Sequence, residues 1–289
     1  LYLQVLFGCA LVGFFRGVGA TMIGRREFFT VISGAALATA APRISSGQEY
    51  RPFAWPHGER AAVSLTYDDG LDSQLEYAVP ALDRLGWKAT FFLTEENMEK
   101  QVDRWRAVAR EGHEIGDHTL HHHCRLAGYS TKRFVREEIA PTERFLNAYF
   151  GVRRRTFAYP CGTIELGAGG QREGEERYID ALRPVFTAAR AADGDPNDPR
   201  LVGRQRYQLQ AIAPTYDRDD PQLAIDYLRK ALGWGRWAIL IFHDVVPTRL
   251  GDGDTSVTSH DRILGWIAQT PLWCAPMGEV FSHLTGSVQ

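Results

Sequence analysis

From residue 61 onward, short apolar runs alternate with stretches whose apolar positions recur every three or four residues. The runs 61–67, 88–93, 114–117, 156–159, 185–190, 201–209, 237–242 and 272–276 are β-prone, and their length suits buried strands. Between them, helical spacing falls at Leu75, Val79, Leu82 and Leu85 within 73–85. It recurs at Met98, Val102, Trp105 and Val108, and again at Phe134, Ile139, Phe145 and Tyr149 within 131–149. Pro141 is expected to kink or re-cap the last of these, because it has no N–H and crowds the preceding turn. Segments 221–232 and 261–269 also read as helices, with Pro221 at a first turn where a missing N–H costs nothing. The Gly-rich stretch 162–174 reads as a loop without the GK[ST] ending of a phosphate loop. Strands alternating with helices imply a parallel sheet covered by helices. The predicted fold class is α/β, a distorted (β/α) barrel of seven or eight parallel strands, with an open doubly wound sheet as the alternative.

Composition narrows the class. Hydrophobic residues make up 44% and charged residues 24%, an ordinary globular balance, and the net charge of −2 provides no basic field to gather nucleic acid. The first 41 residues read differently. Arg25-Arg26-Glu27-Phe28-Phe29 precedes an apolar, small-residue run ending Ala38-Thr39-Ala40-Ala41, the layout of a signal segment of twin-arginine type. The run is too short to span a bilayer comfortably, so cleavage without stable membrane insertion is expected. The chain is therefore divided into a targeting segment 1–41 with a true start at Met22, a linker 42–59, and a catalytic domain 60–289. Export to the periplasm or beyond is expected. An alternative takes the apolar residues 1–20 as a genuine second segment that anchors the protein. Cys124, Cys161 and Cys274 follow the leader, an odd number without CxxC spacing, which permits one bridge without specifying it.

Chemistry-bearing residues cluster just past predicted strand ends, the rim where reactive groups converge in α/β barrels. Thr66-Tyr67-Asp68-Asp69-Gly70 places two carboxylates side by side, which is costly unless a cation or proton compensates. His118-Thr119-Leu120-His121-His122-His123 places His118 and His122 four apart, so one helical turn would bring both imidazoles to one face. His121 and His123 read as non-ligands. Tyr159-Pro160-Cys161-Gly162 is a strand entering a turn, and Phe242-His243-Asp244 ends a buried strand in a titratable pair. Taken singly, each has a bland reading: a turn, a solvated loop, a buried small residue, a structural histidine.

The ordered set Thr-Tyr-Asp-Asp-Gly, His-Thr-Leu-His-His, Tyr-Pro-Cys-Gly and Ile-Phe-His-Asp resembles the motif series of the NodB-type polysaccharide deacetylases, carbohydrate esterase family four, over about residues 61–245. The resemblance implies Asp68 as general base and His243 as general acid. Asp69, His118 and His122 become ligands of a divalent metal, zinc or another such as cobalt. The backbone N–H of Cys161 becomes an oxyanion donor, a role that survives a change of side chain. It implies an acetylated carbohydrate as substrate and N-deacetylation as the reaction, with a bell-shaped pH dependence from the paired base and acid. O-acetyl removal from a xylan-type polymer, hydrolysis of a cyclic amide and a non-catalytic carbohydrate-binding barrel are the competing readings. The family's base-orienting arginine falls at Ala158, and Arg155 is off-register. Arg204 or Arg206 is expected to supply the guanidinium, and Asp217 to orient His243. Tyr159, Trp234 and Trp237 are candidates for stacking on sugar rings, with core packing the stronger expectation for Trp237.

Overall fold

The computed structural model describes residues 53–286. The predicted targeting segment and most of the linker lie outside the described residues. In chain order the strands are β1 Ala61–Asp69, β2 Thr90–Leu93, β3 Glu114–Asp117, β4 Thr156–Ala158, β5 Ala188–Arg190, β6 Trp237–Phe242, β7 Val245–Val246, β8 Thr255–Ser256 and β9 Leu272–Cys274. Seven of them form one parallel sheet in the order β5-β4-β3-β2-β1-β6, with β9 also on β1; β7 and β8 pair separately. β6 pairs with residues 62–67 of β1, while the opposite edge is shared by β9 at 61–63 and β2 at 66–69. β1 is buried from Ala61 to Asp68, and its inward hydroxyls are satisfied by carbonyls, Ser64 Oγ donating to Ala275 O and Thr66 Oγ1 to Leu240 O, both at 2.8 Å.

The gap between β5 and β6 is spanned by residues 209–212. Leu209 N–H donates to Ala189 O at 3.1 Å and Ala191 N–H to Leu209 O at 2.8 Å. On the far side Ile212 N–H donates to Ile239 O at 3.1 Å and Ile241 N–H to Ile212 O at 2.8 Å. These single bridges complete a distorted barrel. They also correct the predicted strand over 201–209. Its first residues turn back on themselves, with Arg204 and Gln205 N–H both bonded to Leu201 O, leaving only Leu209 in ladder register.

Two helices were not read from the pattern. Gln171–Leu182 begins in the last four residues of the predicted Gly-rich loop and runs on past it, and Met277–Thr285 lies at the end of the described chain. The first was obscured because its exposed face is carried by polar i,i+4 pairs, Gln171 with Glu175, Arg172 with Glu176 and Arg177 with Glu173. The long helix predicted over 131–149 runs from Thr131 to Phe150 through a widened turn at Val135–Ile139. A matching widened turn, Gln74–Ala78, precedes Val79–Arg84. Each stands just before a proline, Pro141 or Pro80. The i→i+5 bonds from Ala140 N–H to Val135 O and from Val79 N–H to Gln74 O accommodate the ring and the missing donor.

Gly116 in β3 connects this packing to the rim. A Cβ there would overlap the Phe92 ring and lie 3.1 Å from Thr156 O, so only glycine leaves room for that ring between β2 and β4. Gly116→Ala is therefore expected to destabilise the fold by about 1–3 kcal/mol, the usual penalty of overpacking. Chemical denaturation of the two proteins checks this; an unchanged midpoint would contradict it.

Candidate active site

At the C-terminal rim, the ends of β1, β5 and β6 deliver Asp68, Asp69, Arg190 and His243 to one cleft of about 660 Å³, and the end of β3 sets the buried His118 beside the two carboxylates. Asp69 ends β1 in the left-handed region at φ 76, followed by Gly70 at φ 71, which turns the chain sharply away. Its carbonyl is pinned by Thr94 Oγ1 at 3.0 Å and Asn97 Nδ2 at 3.1 Å. The buried Gln74 amide donates to Asp68 O and, at 3.0 Å, to His243 O, tying the ends of β1 and β6 together.

His118 and His122 meet, but not on a helix. Residues 118–124 are irregular, with Thr119 at φ 68 and His122 at φ 51. Side chains take the amides that a helix would use. Asp117 Oδ1 accepts from Thr119 N–H at 2.7 Å, and Thr119 Oγ1 from His122 N–H at 3.1 Å. The imidazole rings stand edge-on with centroids 4.7 Å apart. His118 is fully buried, and its Nδ1 donates to Ala158 O at 2.9 Å, leaving Nε2 without a partner. His118 Nε2 and His122 Nε2 each lie 3.6 Å from Asp69 Oδ1. Ligand atoms around a tetrahedral zinc stand about 3.3 Å apart, so the set fits a divalent ion with small adjustment. The Nδ1–carbonyl bond also fixes the tautomer that such ligation requires.

Electrostatics separate the two carboxylates. Burial alone would raise Asp68, but Arg190, His118 and His243 together hold it below its usual range, and Arg190 hydrogen-bonds its Oδ1. Asp69 is pushed up to about 6, first by burial and then by the charge on Asp68. Burial lowers His118 to about 3 and also lowers His122, which favours the uncharged rings that metal ligation requires.

Arg190 corrects the expectation placed on Arg204 and Arg206. Arg206 is half-buried, bonds Gly203 O and lies over the Phe281 ring, and Arg204 is exposed, whereas Arg190 is buried against Asp68 with its guanidinium 5.0 Å from the Phe92 ring centre. Its Cα is paired in register with Ala158, so the guanidinium enters from the adjoining strand. A usable signal existed: 185–190 ends in a charged residue at the rim, as the other site-bearing strands do. Arg155 is buried elsewhere, paired with Glu143 at 3.2 Å.

His243 lines the cleft with Tyr216, whose ring stands edge-on at 5.5 Å. Among the described residues no carboxylate lies within ion-pair distance of His243. Asp217 therefore reaches the cleft wall without orienting the ring. Tyr159 is core, its hydroxyl bonded to Tyr207 O, and Trp237 is buried with Nε1 on Ser64 Oγ. Trp234 ends a helix at the opposite end of β6 from His243. Tyr216 is the exposed aromatic of the cleft.

Cys161, at φ 54 beside the cleft, is bonded to Cys124, with Cα atoms 5.5 Å apart; Cys274 is free. The bridge ties the loop carrying His122 to the turn after β4 and leaves Cys161 no thiol chemistry.

Residues 55–168 match the sequence profile of the polysaccharide deacetylase family. The chain is similar to a peptidoglycan-N-acetylglucosamine deacetylase of Bacillus cereus, 38% identical over 128 residues, 40% of this chain and 45% of that one. It is also similar to part of a gellan lyase of a Bacillus species, 29% identical over 160 residues, 55% of this chain and 6% of that one. The chain thus spans less than half the length of these curated relatives. A solved peptidoglycan N-acetylglucosamine deacetylase shares the fold at a TM-score of 0.56 and 22% identity, covering 78% of this chain and 90% of that one. Arg190 and His243 lie beyond the matched family region.

Bridging residues 37 apart in sequence, the disulfide is expected to contribute about 3–4 kcal/mol by restricting the unfolded chain. Cys124→Ser should lower the denaturation midpoint accordingly, and a midpoint equal to that of the oxidised parent would contradict this.

Proposed function

We propose that this chain, which belongs to the polysaccharide deacetylase family through residues 55–168, is a metal-dependent hydrolase that releases acetate from an N-acetylated sugar polymer or oligosaccharide. The observation that carries the reading is the convergence of Asp69 Oδ1, His118 Nε2 and His122 Nε2 beside an Asp68 held by Arg190. Asp69, His118 and His122 would hold a divalent ion, zinc or a similar metal, which when bound polarises an acetyl carbonyl and acidifies water.

Asp68 is suited to the base. Its Oδ1 is fixed by Arg190, while Oδ2 lies 3.6 Å from His118 Nε2, on the side of the ligand atoms. It takes a proton from water as the new C–O bond forms at the acetyl carbon. The Cys161 N–H, at the turn after β4, would donate to the developing oxyanion. His243 delivers a proton to the amide nitrogen as the C–N bond breaks, since an amine anion leaves poorly. Acetate and a free amino sugar result. Tyr216 offers its ring face to a sugar beside His243. The B. cereus relative's name supports a polymer containing N-acetylglucosamine. Export through the twin-arginine signal at Arg25-Arg26, followed by action in the periplasm or outside the cell, completes the proposal.

O-acetyl removal is a second reading, favoured by the lack of a carboxylate behind His243 among the described residues. An alkoxide leaves more readily than an amine anion and needs less help from an acid.

Four results are expected. Acetate release from N-acetylglucosamine oligomers should stop with a chelator and return with added divalent metal; turnover indifferent to chelation would remove the metal from the reading. Asp68→Asn should cost about 10²- to 10⁴-fold in kcat, while His243→Ala should cost far more on N-acetyl than on O-acetyl substrates, as paired assays would read. Arg190→Gln withdraws a cation that lowers the Asp68 pKa, so that pKa rises and the acid limb of the pH–rate profile moves to higher pH. A limb that stays in place would sever Arg190 from the base.

A further inference from the structure

The two histidines left over from the His118–His122 motif, His121 and His123, have a partner of their own. Glu138, in the widened helical turn Val135–Ile139, is 1% exposed. Its Oε1 lies 3.1 Å from His121 Nδ1 and 3.5 Å from His123 Nε2, and it accepts from the Tyr129 hydroxyl at 3.1 Å. Its Oε2 accepts from the His121 backbone N–H at 3.1 Å. The three candidate ligand atoms all lie within 4.8 Å of one another.

Two features distinguish this cluster from a hydrogen-bonded carboxylate. Among the described residues no lysine or arginine lies within ion-pair distance of Glu138, so two imidazoles are its only cation candidates. A carboxylate taken this far from water without a compensating charge is costly. The imidazoles also stand open to solvent, 56% and 47% exposed at the side chain, over the buried oxygen. That provides an entry path and room for a water to complete a four-coordinate shell. Separations of 3.1 and 3.5 Å bracket the roughly 3.3 Å edge of a tetrahedral zinc site.

We propose that His121, His123 and Glu138 form a second divalent transition-metal site, distinct from the cleft and suited to zinc, cobalt or copper by its two nitrogens and one oxygen. Metal there fastens the segment 121–123, and with it His122, to the helical stretch Thr131–Phe150. The site does not depend on the hydrolytic reading, because it uses none of the residues assigned to the cleft's metal.

The test is metal stoichiometry on the full chain with its disulfide oxidised. Apoprotein is titrated with Co²⁺, read by visible absorption, and with Zn²⁺, read by elemental analysis after dialysis. His121→Ala/His123→Ala should bind one equivalent fewer than the parent, and the remaining cleft equivalent should disappear when His118→Ala is added. His123→Ala alone, a change at a half-exposed ring that leaves the fold intact by circular dichroism, should weaken the peripheral equivalent at least tenfold. An unchanged stoichiometry and affinity in the two histidine variants would overturn the site, whatever happens to the cleft equivalent.

Discussion

Two adjacent carboxylates at the end of a fully buried strand set the constraint from which the rim of this barrel is built. Like charges so close in a low-dielectric setting cannot both persist without compensation. The fold answers by splitting their fates. Arg190 reaches across from β5 and, against the penalty of burial, keeps Asp68 ionised, while Asp69 is left without a guanidinium and is driven up to about 6. One carboxylate is thereby held below its usual range beside a guanidinium, and the other faces the His118 and His122 rings at 3.6 Å. Asp69, His118 and His122 gather their ligand-type atoms within 4.8 Å of one another at this point, which is the basis of the cation site proposed above.

Holding that arrangement demands backbone shapes that ordinary elements do not provide. Asp69, Thr119, His122 and Cys161 all occupy the left-handed region, where residues with a Cβ are disfavoured. Such conformations persist only when surroundings over-determine them. Here Thr94 and Asn97 hold the Asp69 carbonyl, and Asp117 and the Thr119 hydroxyl hold the histidine loop. The Cys124–Cys161 bridge fastens that loop to the turn after β4. Beneath them, Gln74 joins the two strand ends that deliver Asp68 and His243.

How much of this was legible can be followed through single residues. Strand β6 was readable as a continuous apolar run and β1 as a largely apolar, β-prone one, and the rim residues stood out where each run met a titratable group. Residues 201–209 misled because alternating Leu, Val, Tyr and Leu mimic a strand, while the arginines, glutamines and glycine among them bend the chain into turns. The helix Gln171–Leu182 escaped because its periodicity is carried by charge pairs. His118 and His122 do come together, but not for the reason their spacing suggested. The spacing of four suggested a helical turn, and the loop brings the rings together by side-chain capping of its own amides.

The sequence by itself determined the order of the elements, the parallel barrel and the residues gathered at its rim, since local periodicity and strand ends are properties of the chain. Tertiary structure alone decided which arginine meets Asp68. Ala158 and Arg190 are neighbours only because β4 and β5 pair in that register, and no spacing along the chain encodes a contact across a strand boundary. The pairing of Cys124 with Cys161, and of Glu138 with His121 and His123, was settled in the same way. Each is a meeting of segments distant in sequence, fixed by the packing of buried surfaces rather than by any pattern within either one.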